Sequence, residues 1–519
     1  MSRTKAAEKN LVIGVLMQVL DFLLAWFARI AITRSFSASY LGINGLYNDI
    51  LSVLSLSELG IGTAMLAALY EPAAKRDTDK IQEILNYYRK LYLVVAGCIM
   101  AAGLLVMPIL PKLVKGFYGV DHPYIYYGMF LLETVLSYFC TWKNSLLYVH
   151  QEQYIGSFWN GLFQFIRYGL QFVLLVATGN FFFFVLVQVV CAFLPGFVTS
   201  VQTMKRHPEE ITAAGQKRTY PDKEGRRSLR AGIGAMSMHK VGGVLVNNTD
   251  SLIMSAFLGL SAVGVYSNYR LVVNTLTRFM KQCIDSVTGG VGNLSVTENG
   301  EKVYNVYREI YLLSVLGYGF CTAMMTVLFP DYILSGFDKR YLLGSSTMLL
   351  IVADFYTKGM RVPLLTFRDA AGLFRYDRYK PVFEIIINLV TSILLVQKYG
   401  IAGIVSGTLI SFFTTSFWVD PLVLFKEGIR TDWKKKYARY FADYACNTCI
   451  LILEILVLRA ALSFIHQSGA VSLILKGVFG SILFAGMSVL FYGWRKETKS
   501  LIRRLNRHGN SAYLSITHD

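Results

Sequence analysis

Apolar runs of about 20 residues follow one another along almost the whole chain, broken by short polar connections. Fourteen are expected, at about 11–33, 40–69, 84–110, 123–149, 156–178, 181–203, 231–257, 262–294, 307–330, 341–365, 381–398, 401–425, 441–465 and 470–493. At 1.5 Å per residue each is long enough to cross a hydrocarbon core about 30 Å thick. The runs are continuous and do not alternate, which excludes a transmembrane barrel. The expected fold class is an all-α integral membrane protein of about 14 transmembrane helices, arranged as two pseudo-symmetric six-helix bundles plus a C-terminal helix pair.

The eighth run departs from the apolar pattern. It reads AVGVYSNYRLVVNTLTRFMKQCIDSVTGGVGNL from Ala262 to Leu294. On a helix, Arg270, Asn274, Thr277, Lys281 and Thr288 share one face, with Arg278 and Asp285 on its shoulder. Arg270 to Thr288 covers about 27 Å of helix. A basic residue at the bilayer centre costs roughly 2.5–3.5 kcal/mol even on the lenient insertion scale. Three bases against one acid therefore require an aqueous cavity, a partner or an anionic ligand.

Further polar seams run along other spans. Gln18, Asp21, Ala25 and Arg29 follow helical spacing in the first, and Asn44, Asn48, Ser55, Glu58 and Gly62 in the second. Asn160, Gln164, Arg167 and Gln171 do so in the fifth, and Lys240, Asn247 and Ser251, with Asp250 beside them, in the seventh. Lined up around one cavity, Arg270, Arg278, Lys281, Arg29, Arg167 and Lys240 form a cationic binding set. Asn44, Asn48, Gln164, Asn247 and Asn274 form a polar lining. Asp21, Glu58, Asp250 and Asp285 are the acids placed to couple an ion. Interhelical bonding is the plainer role for many of these positions, since such polar side chains also hold membrane helices together. Asp354 and Lys358, four residues apart with Arg361 one turn on, are read as a structural group.

The chain has 519 residues, 54% of them hydrophobic and 16% charged. A soluble chain carries about 25% charge, so no sizeable soluble domain is expected. The net charge of +18 invites a nucleic-acid reading, which its distribution rules out. With the amino terminus inside, the outer loops hold only Arg34, Lys112, Lys115, Lys339, Arg340 and Lys398, while inner connections such as 204–230, 426–440 and the tail are strongly basic. Both termini are then cytoplasmic. Were the eighth segment to lie on the membrane surface, the basic 426–440 loop would face outward, so the asymmetry favours a true span.

The long connection 204–230 separates six spans from six more. An even number per half makes a parallel repeat about an axis normal to the membrane. A gapless match supports duplication: LGINGLYNDILSVLSL from Leu41 aligns with VGVYSNYRLVVNTLTR from Val263, pairing Gly42 with Gly264, Tyr47 with Tyr269 and Leu54 with Leu276. The expected organisation is an N-terminal bundle at 1–203, a cytoplasmic linker at 204–230 and a C-terminal bundle at 231–425. An accessory hairpin at 426–493 and a basic tail at 494–519 complete it. Residues 494–507 read as an amphipathic helix on the inner leaflet.

The seven cysteines fall in spans, which argues against a disulfide framework. Cys446 and Cys449 form a CxxC inside a span with no second ligand pair, and neither metal nor cofactor is expected. Arg3, Lys5 and Lys9 precede a first run too long for a signal peptide, which is read as the first span. A cationic cavity attracts an anion. Pyrophosphate suits Arg and Lys donors, and the amide, hydroxyl and aromatic lining suits sugars.

YLGINGLYNDILSVLSLSELGIGTAMLAALYEP (Tyr40–Pro72) resembles the bacterial polysaccharide and O-antigen repeat-unit flippases of the multidrug/oligosaccharidyl-lipid/polysaccharide exporter superfamily. LLYVHQEQYIGSFWNGLFQFIRYGLQ (Leu146–Gln171) and YGIAGIVSGTLIS (Tyr399–Ser411) are similar to the same group, as is the six-plus-six-plus-two layout. The resemblance implies a V-shaped pair of bundles, alternating access and a non-enzymatic role: moving an undecaprenyl-pyrophosphate-linked oligosaccharide across the bacterial cytoplasmic membrane. It implies a lipid-linked oligosaccharide substrate, membrane lipid and, as further partners, polysaccharide polymerase and assembly proteins. Related lipid II flippases use arginines on spans 1 and 8, which Arg29 and the Arg270/Arg278 pair match in position, although the neighbouring Arg–Asp order of their first span is absent. Two other classes compete. A drug or organic-cation exporter needs an acidic cavity. A membrane-embedded polymerase or glycosyltransferase needs a carboxylate on a large outer loop, whereas Asp121, Asp331 and Asp338 sit on short ones.

Overall fold

In the computed structural model, residues 3–55, 61–211, 220–288, 299–465 and 469–508 are described. Among them every regular element is helical. The helices are α1 (Arg3–Ser35), α2 (Ala38–Leu54), α3 (Ile61–Lys75), α4 (Thr78–Val106), α5 (Pro123–Val149), α6 (Gln153–Thr178) and α7 (Phe181–Arg206). There follow α8 (Lys223–Phe257), α9 (Leu260–Thr288), α10 (Gly300–Gly336), α11 (Ser345–Ala370), α12 (Lys380–Tyr399) and α13 (Ile401–Thr414). The last are α14 (Ser416–Val423), α15 (Trp433–Leu462), α16 (Ala470–Tyr492) and α17 (Lys496–His508).

The apolar runs therefore fold as expected, with two interruptions. In the second span α2 ends at Leu54 and α3 begins at Ile61, with residues 56–60 outside the described set. The twelfth breaks at Thr415 (φ −121, ψ −80) and leaves α14 through a π-helical turn at Leu424–Ile429. Among the described residues, eight helical stretches are long and apolar enough to span on composition alone. Of the rest, α2 (17 residues) and α3 (15 residues) are too short, and α1, α5, α8, α9 and α11 carry ionisable residues within their runs. All seven cysteines are free.

The chain divides into two compact units, Val19–Ser267 and Met1–Gln18 with Asn268–Asp519, the division falling inside α1 and α9. In the first unit α5 packs on α2, α3, α4 and α7. In the second, α10 is the central element, touching α11, α15, α16 and α17. Two thirds of its apolar stretch is buried (67%), against 11% in α6 and in α16, which lie at the periphery of their units. The α17 helix forms as expected, and its Glu497 pairs with Arg308 at 2.7 Å while Ser500 donates to Glu309 at 2.7 Å. The tail is thus anchored to α10 as well as carrying the basic face read from the sequence.

The internal repeat has a structural counterpart. Gly42 and Gly264, paired in the alignment, meet backbone to backbone: a Cβ on Gly42 would run into the Leu260 carbonyl, and one on Gly264 into that of Ala38. Small residues permit such approach between membrane helices. Tyr47 and Tyr269, also paired, are fully buried in their respective units. Tyr47 donates to the Pro123 carbonyl (2.9 Å) at the head of the fourth span. Tyr269 donates to Tyr341 O (3.3 Å) and accepts from Leu343 N (2.9 Å) at the head of the tenth. Each tyrosine does the same work in its own half. Gly42→Ala is expected to lower stability by about 1–3 kcal/mol through overpacking. Gly45→Ala, whose Cβ would meet nothing nearer than 3.9 Å, leaves the thermal midpoint of the purified protein unchanged.

The Tyr399–Ser411 motif is a tight hairpin. Gly400 turns the chain at φ 58, and a Cβ on Gly403 or Gly407 would collide with the backbone of Leu395 or Ser392. The close approach lets buried Asn388 donate to Thr408 at 3.0 Å.

Candidate functional site

The α9 helix has two distinct faces within the second unit. Tyr269, Met280 and Ile284 are buried, and Tyr269 packs edge-on against Phe329 of α10 with centroids 5.1 Å apart. The Met280 side chain lies over Gly317, which has no Cβ to obstruct it. On the opposite side the exposed positions are Asn274, Thr277, Arg278 and Lys281. The exposed stripe is thus wholly polar, with two cations about one turn apart. Among the described residues neither cation has an ion-pair or hydrogen-bond partner. Arg270, two turns nearer the amino end, is half-buried and engaged. Exposure of Arg278 and Lys281 to lipid would cost several kcal/mol, so this face calls for water or a polar partner. The Asp285, Lys240 and Asn247 side chains and all of Glu58 lie outside the described residues.

In the first unit the expected site residues have different surroundings. Arg29 is half-buried and its Nη1 donates to Ser267 Oγ at 2.9 Å, which ties α1 to the first two turns of α9. Asp21 accepts a hydrogen bond from Gln164, joining α1 to α6. Arg167 has a buried Nε with no hydrogen-bond partner among the described residues, and its guanidinium lies 4.5 Å from the Tyr168 ring centroid. Asn48 is exposed and donates back to the Asn44 carbonyl at 2.8 Å, so Asn44 and Asn48 present one polar surface on α2. Gln171 is buried and donates to the Phe184 carbonyl at 3.1 Å, a helix-joining role. Asp250 is buried and engaged.

A second charged cluster is larger than the sequence reading, which grouped Arg361 with Asp354 and Lys358. Arg361 donates to Asp420 at 2.5 Å and reaches Glu384 at 3.4 Å. Lys380 pairs with the other Asp420 oxygen and lies 3.4 Å from Asp377. Arg368 holds Asp377 at 2.5 Å, and Ser416 donates to Glu384 at 2.9 Å. Three cations thus meet three buried carboxylates, a neutral set that unites α11, α12 and α14. Lys358 pairs instead with Asp354 at 2.8 Å, as their spacing suggested. This closed network holds helices together, whereas Arg278 and Lys281 of the α9 stripe meet no carboxylate among the described residues.

No family model matches the sequence, and no curated protein does. Solved structures do match. The inward-facing conformation of a multidrug resistance MATE family transporter of the MOP superfamily has a TM-score of 0.64 at 14% identity, over 80% of this chain and 95% of that one. The lipid II flippase MurJ in its inward closed conformation gives 0.63 at 14% identity, over 95% and 100%. The MATE multidrug transporter DinF-BH gives 0.56 at 14%, over 83% and 97%. The chain is a multi-pass helical membrane protein whose fold is the one shared by these MOP-superfamily proteins.

Proposed function

We propose that this protein is a flippase that carries an undecaprenyl-pyrophosphate-linked oligosaccharide repeat unit from the inner to the outer leaflet of the bacterial cytoplasmic membrane, for export of cell-surface polysaccharide. The observation that supports this reading most is the exposed polar stripe of α9, whose Arg278 and Lys281 offer charge-assisted donors that no carboxylate among the described residues occupies. A pyrophosphate takes up those donors, while Asn274, Thr277, Asn44 and Asn48 suit sugar hydroxyls. The lipid tail stays in the bilayer, and rocking of the two halves gives alternating access. Arg270, Arg29, Arg167 and Lys240 contribute to the cationic field, and Asp21, Glu58, Asp250 and Asp285 are the groups through which an ion gradient would couple. The similarity to a lipid II flippase along its full length is consistent with a lipid-linked substrate.

The similarity to MATE exporters keeps a second reading in view, an exporter of organic cations. The charge of the α9 stripe opposes it, because a cation would be repelled by Arg278 and Lys281. Deletion of the gene discriminates between the two. Lipid-linked repeat units accumulating on the cytoplasmic side are the expected result. Heightened sensitivity to cationic drugs with normal surface polysaccharide would favour the second reading.

A further inference from the structure

A site outside the transport apparatus is built where two helices of the first unit end side by side. The α5 helix closes at its C-cap His150. Glu152 N donates to Leu147 O (2.7 Å) and Gln151 N to Tyr148 O (3.3 Å), the paired bonds of a Schellman turn. The position that glycine usually takes in such a turn is Gln151, at φ 59. The turn folds His150 and Glu152 back toward the end of α7, where His207 is the C-cap. The segment after it is held down by buried Gln82, which donates to the Glu209 carbonyl at 2.8 Å.

The result is a compact group of nitrogen and oxygen donors. The His150 and His207 rings stack with centroids 4.2 Å apart at 9°. His150 Nε2 lies 3.1 Å from Glu210 Oε2, and His207 Nε2 lies 3.3 Å from Glu152 Oε2. One ligand atom each from His150, His207 and Glu210 falls within 4.8 Å of the others. All three side chains are partly buried, at 26%, 17% and 13% exposure, and so are already ordered. In a tetrahedral zinc site, bonds of about 2.0–2.1 Å place ligand atoms roughly 3.3 Å apart, so closing this group around an ion requires the stacked imidazoles to turn until their ring nitrogens converge. Glu152 is also claimed by Arg206 at 3.0 Å, which leaves it to orient His207. Both α5 and α7 direct their negative C-terminal dipoles at the same point, which favours a cation there.

We propose that His150, His207 and Glu210 bind a divalent transition-metal ion of the zinc class, with water in the fourth position, and that the ion clamps the 150–152 turn to the start of the 204–230 linker. Two neutral imidazoles with one carboxylate suit zinc rather than magnesium or calcium, which take all-oxygen sites. The site does not depend on the transport reading, since none of its ligands is among the residues that reading uses.

The test uses the full-length protein purified in detergent and stripped with a chelator. Titration with Co²⁺ should give one equivalent bound with visible d–d absorption, displaced by Zn²⁺, and Zn²⁺ should raise the thermal midpoint. His150→Asn, His207→Asn and Glu210→Gln should each abolish the bands and the midpoint shift. Glu152→Gln should weaken binding by about 10–100-fold while retaining them. Size-exclusion profiles keep misfolded variants out of the comparison, and the wild-type titration stands by itself if a variant fails to fold. Absence of stoichiometric binding to wild type overturns the proposal. So does undiminished binding in the His150→Asn/His207→Asn double variant, which would place the ion elsewhere.

Discussion

Arg278→Ala combined with Lys281→Ala is expected to reduce translocation of a pyrophosphate-linked oligosaccharide by at least about a hundredfold. Each cation supplies a hydrogen bond to a charged group, worth roughly 1.5–3 kcal/mol. Removing both withdraws at least about 3 kcal/mol of interaction with the headgroup. Stability should not change appreciably, because both side chains are exposed and neither has a partner among the described residues. A transport rate measured beside the thermal midpoint and yield of the same preparations separates the two effects. Arg278→Lys should retain more transport than Arg278→Ala, since charge survives although the bidentate geometry does not. Unchanged transport in the double variant would remove α9 from the substrate path.

Asp420→Ala is expected to do the converse: a large loss of stability. Asp420 is 2% exposed and is the acceptor for both Arg361 and Lys380. Removing one partner of a buried ion pair typically costs about 3–5 kcal/mol, because the surviving charge stays desolvated. Glu384 and Asp377 remain near the two stranded cations and moderate the loss without restoring neutrality. A sharply lowered thermal midpoint and poor yield are the expected readouts. Asp369→Ala serves as the contrast, because Asp369 lies at the exposed edge of the network and its pairing with Arg368 contributes little. Equal midpoints for Asp420→Ala and wild type would show that the network is dispensable.

The difference between these two charged regions also shows what the sequence makes legible. Helix positions follow from apolar run length: the last span, expected at 470–493, is observed as Ala470–Tyr492. The match between the two segments is legible because they keep side chains with the same local task, Gly42 with Gly264 and Tyr47 with Tyr269. The α9 stripe was legible because helical periodicity alone places Asn274, Thr277 and Lys281 together. Periodicity also groups Gln171 with Gln164 and Arg167, but does not reveal that Gln171 turns to the Phe184 carbonyl.

The buried network was not legible. Its members come from α11, α12 and α14 and from the turn at Asp377, and no spacing rule connects them. Asp377 and Lys380 fall between the apolar runs 341–365 and 381–398, and Asp420 is a lone acid within the run 401–425. Their meeting depends on the break at Thr415 and the π turn after Val423, which a run of apolar residues conceals. The His150–His207 group escaped for the same reason, its two halves being 57 positions apart and brought together only by the α5–α7 packing.

Leaflet-resolved translocation by the purified, reconstituted protein addresses the claim that the α9 cations receive a diphosphate headgroup. Proteoliposomes would carry either an undecaprenyl-pyrophosphate-linked oligosaccharide or a glycolipid with the same sugars and no phosphate. Protein-dependent movement of the pyrophosphate lipid, with the uncharged glycolipid left in its original leaflet, is the expected result. Equal movement of both lipids, or of neither, would contradict it.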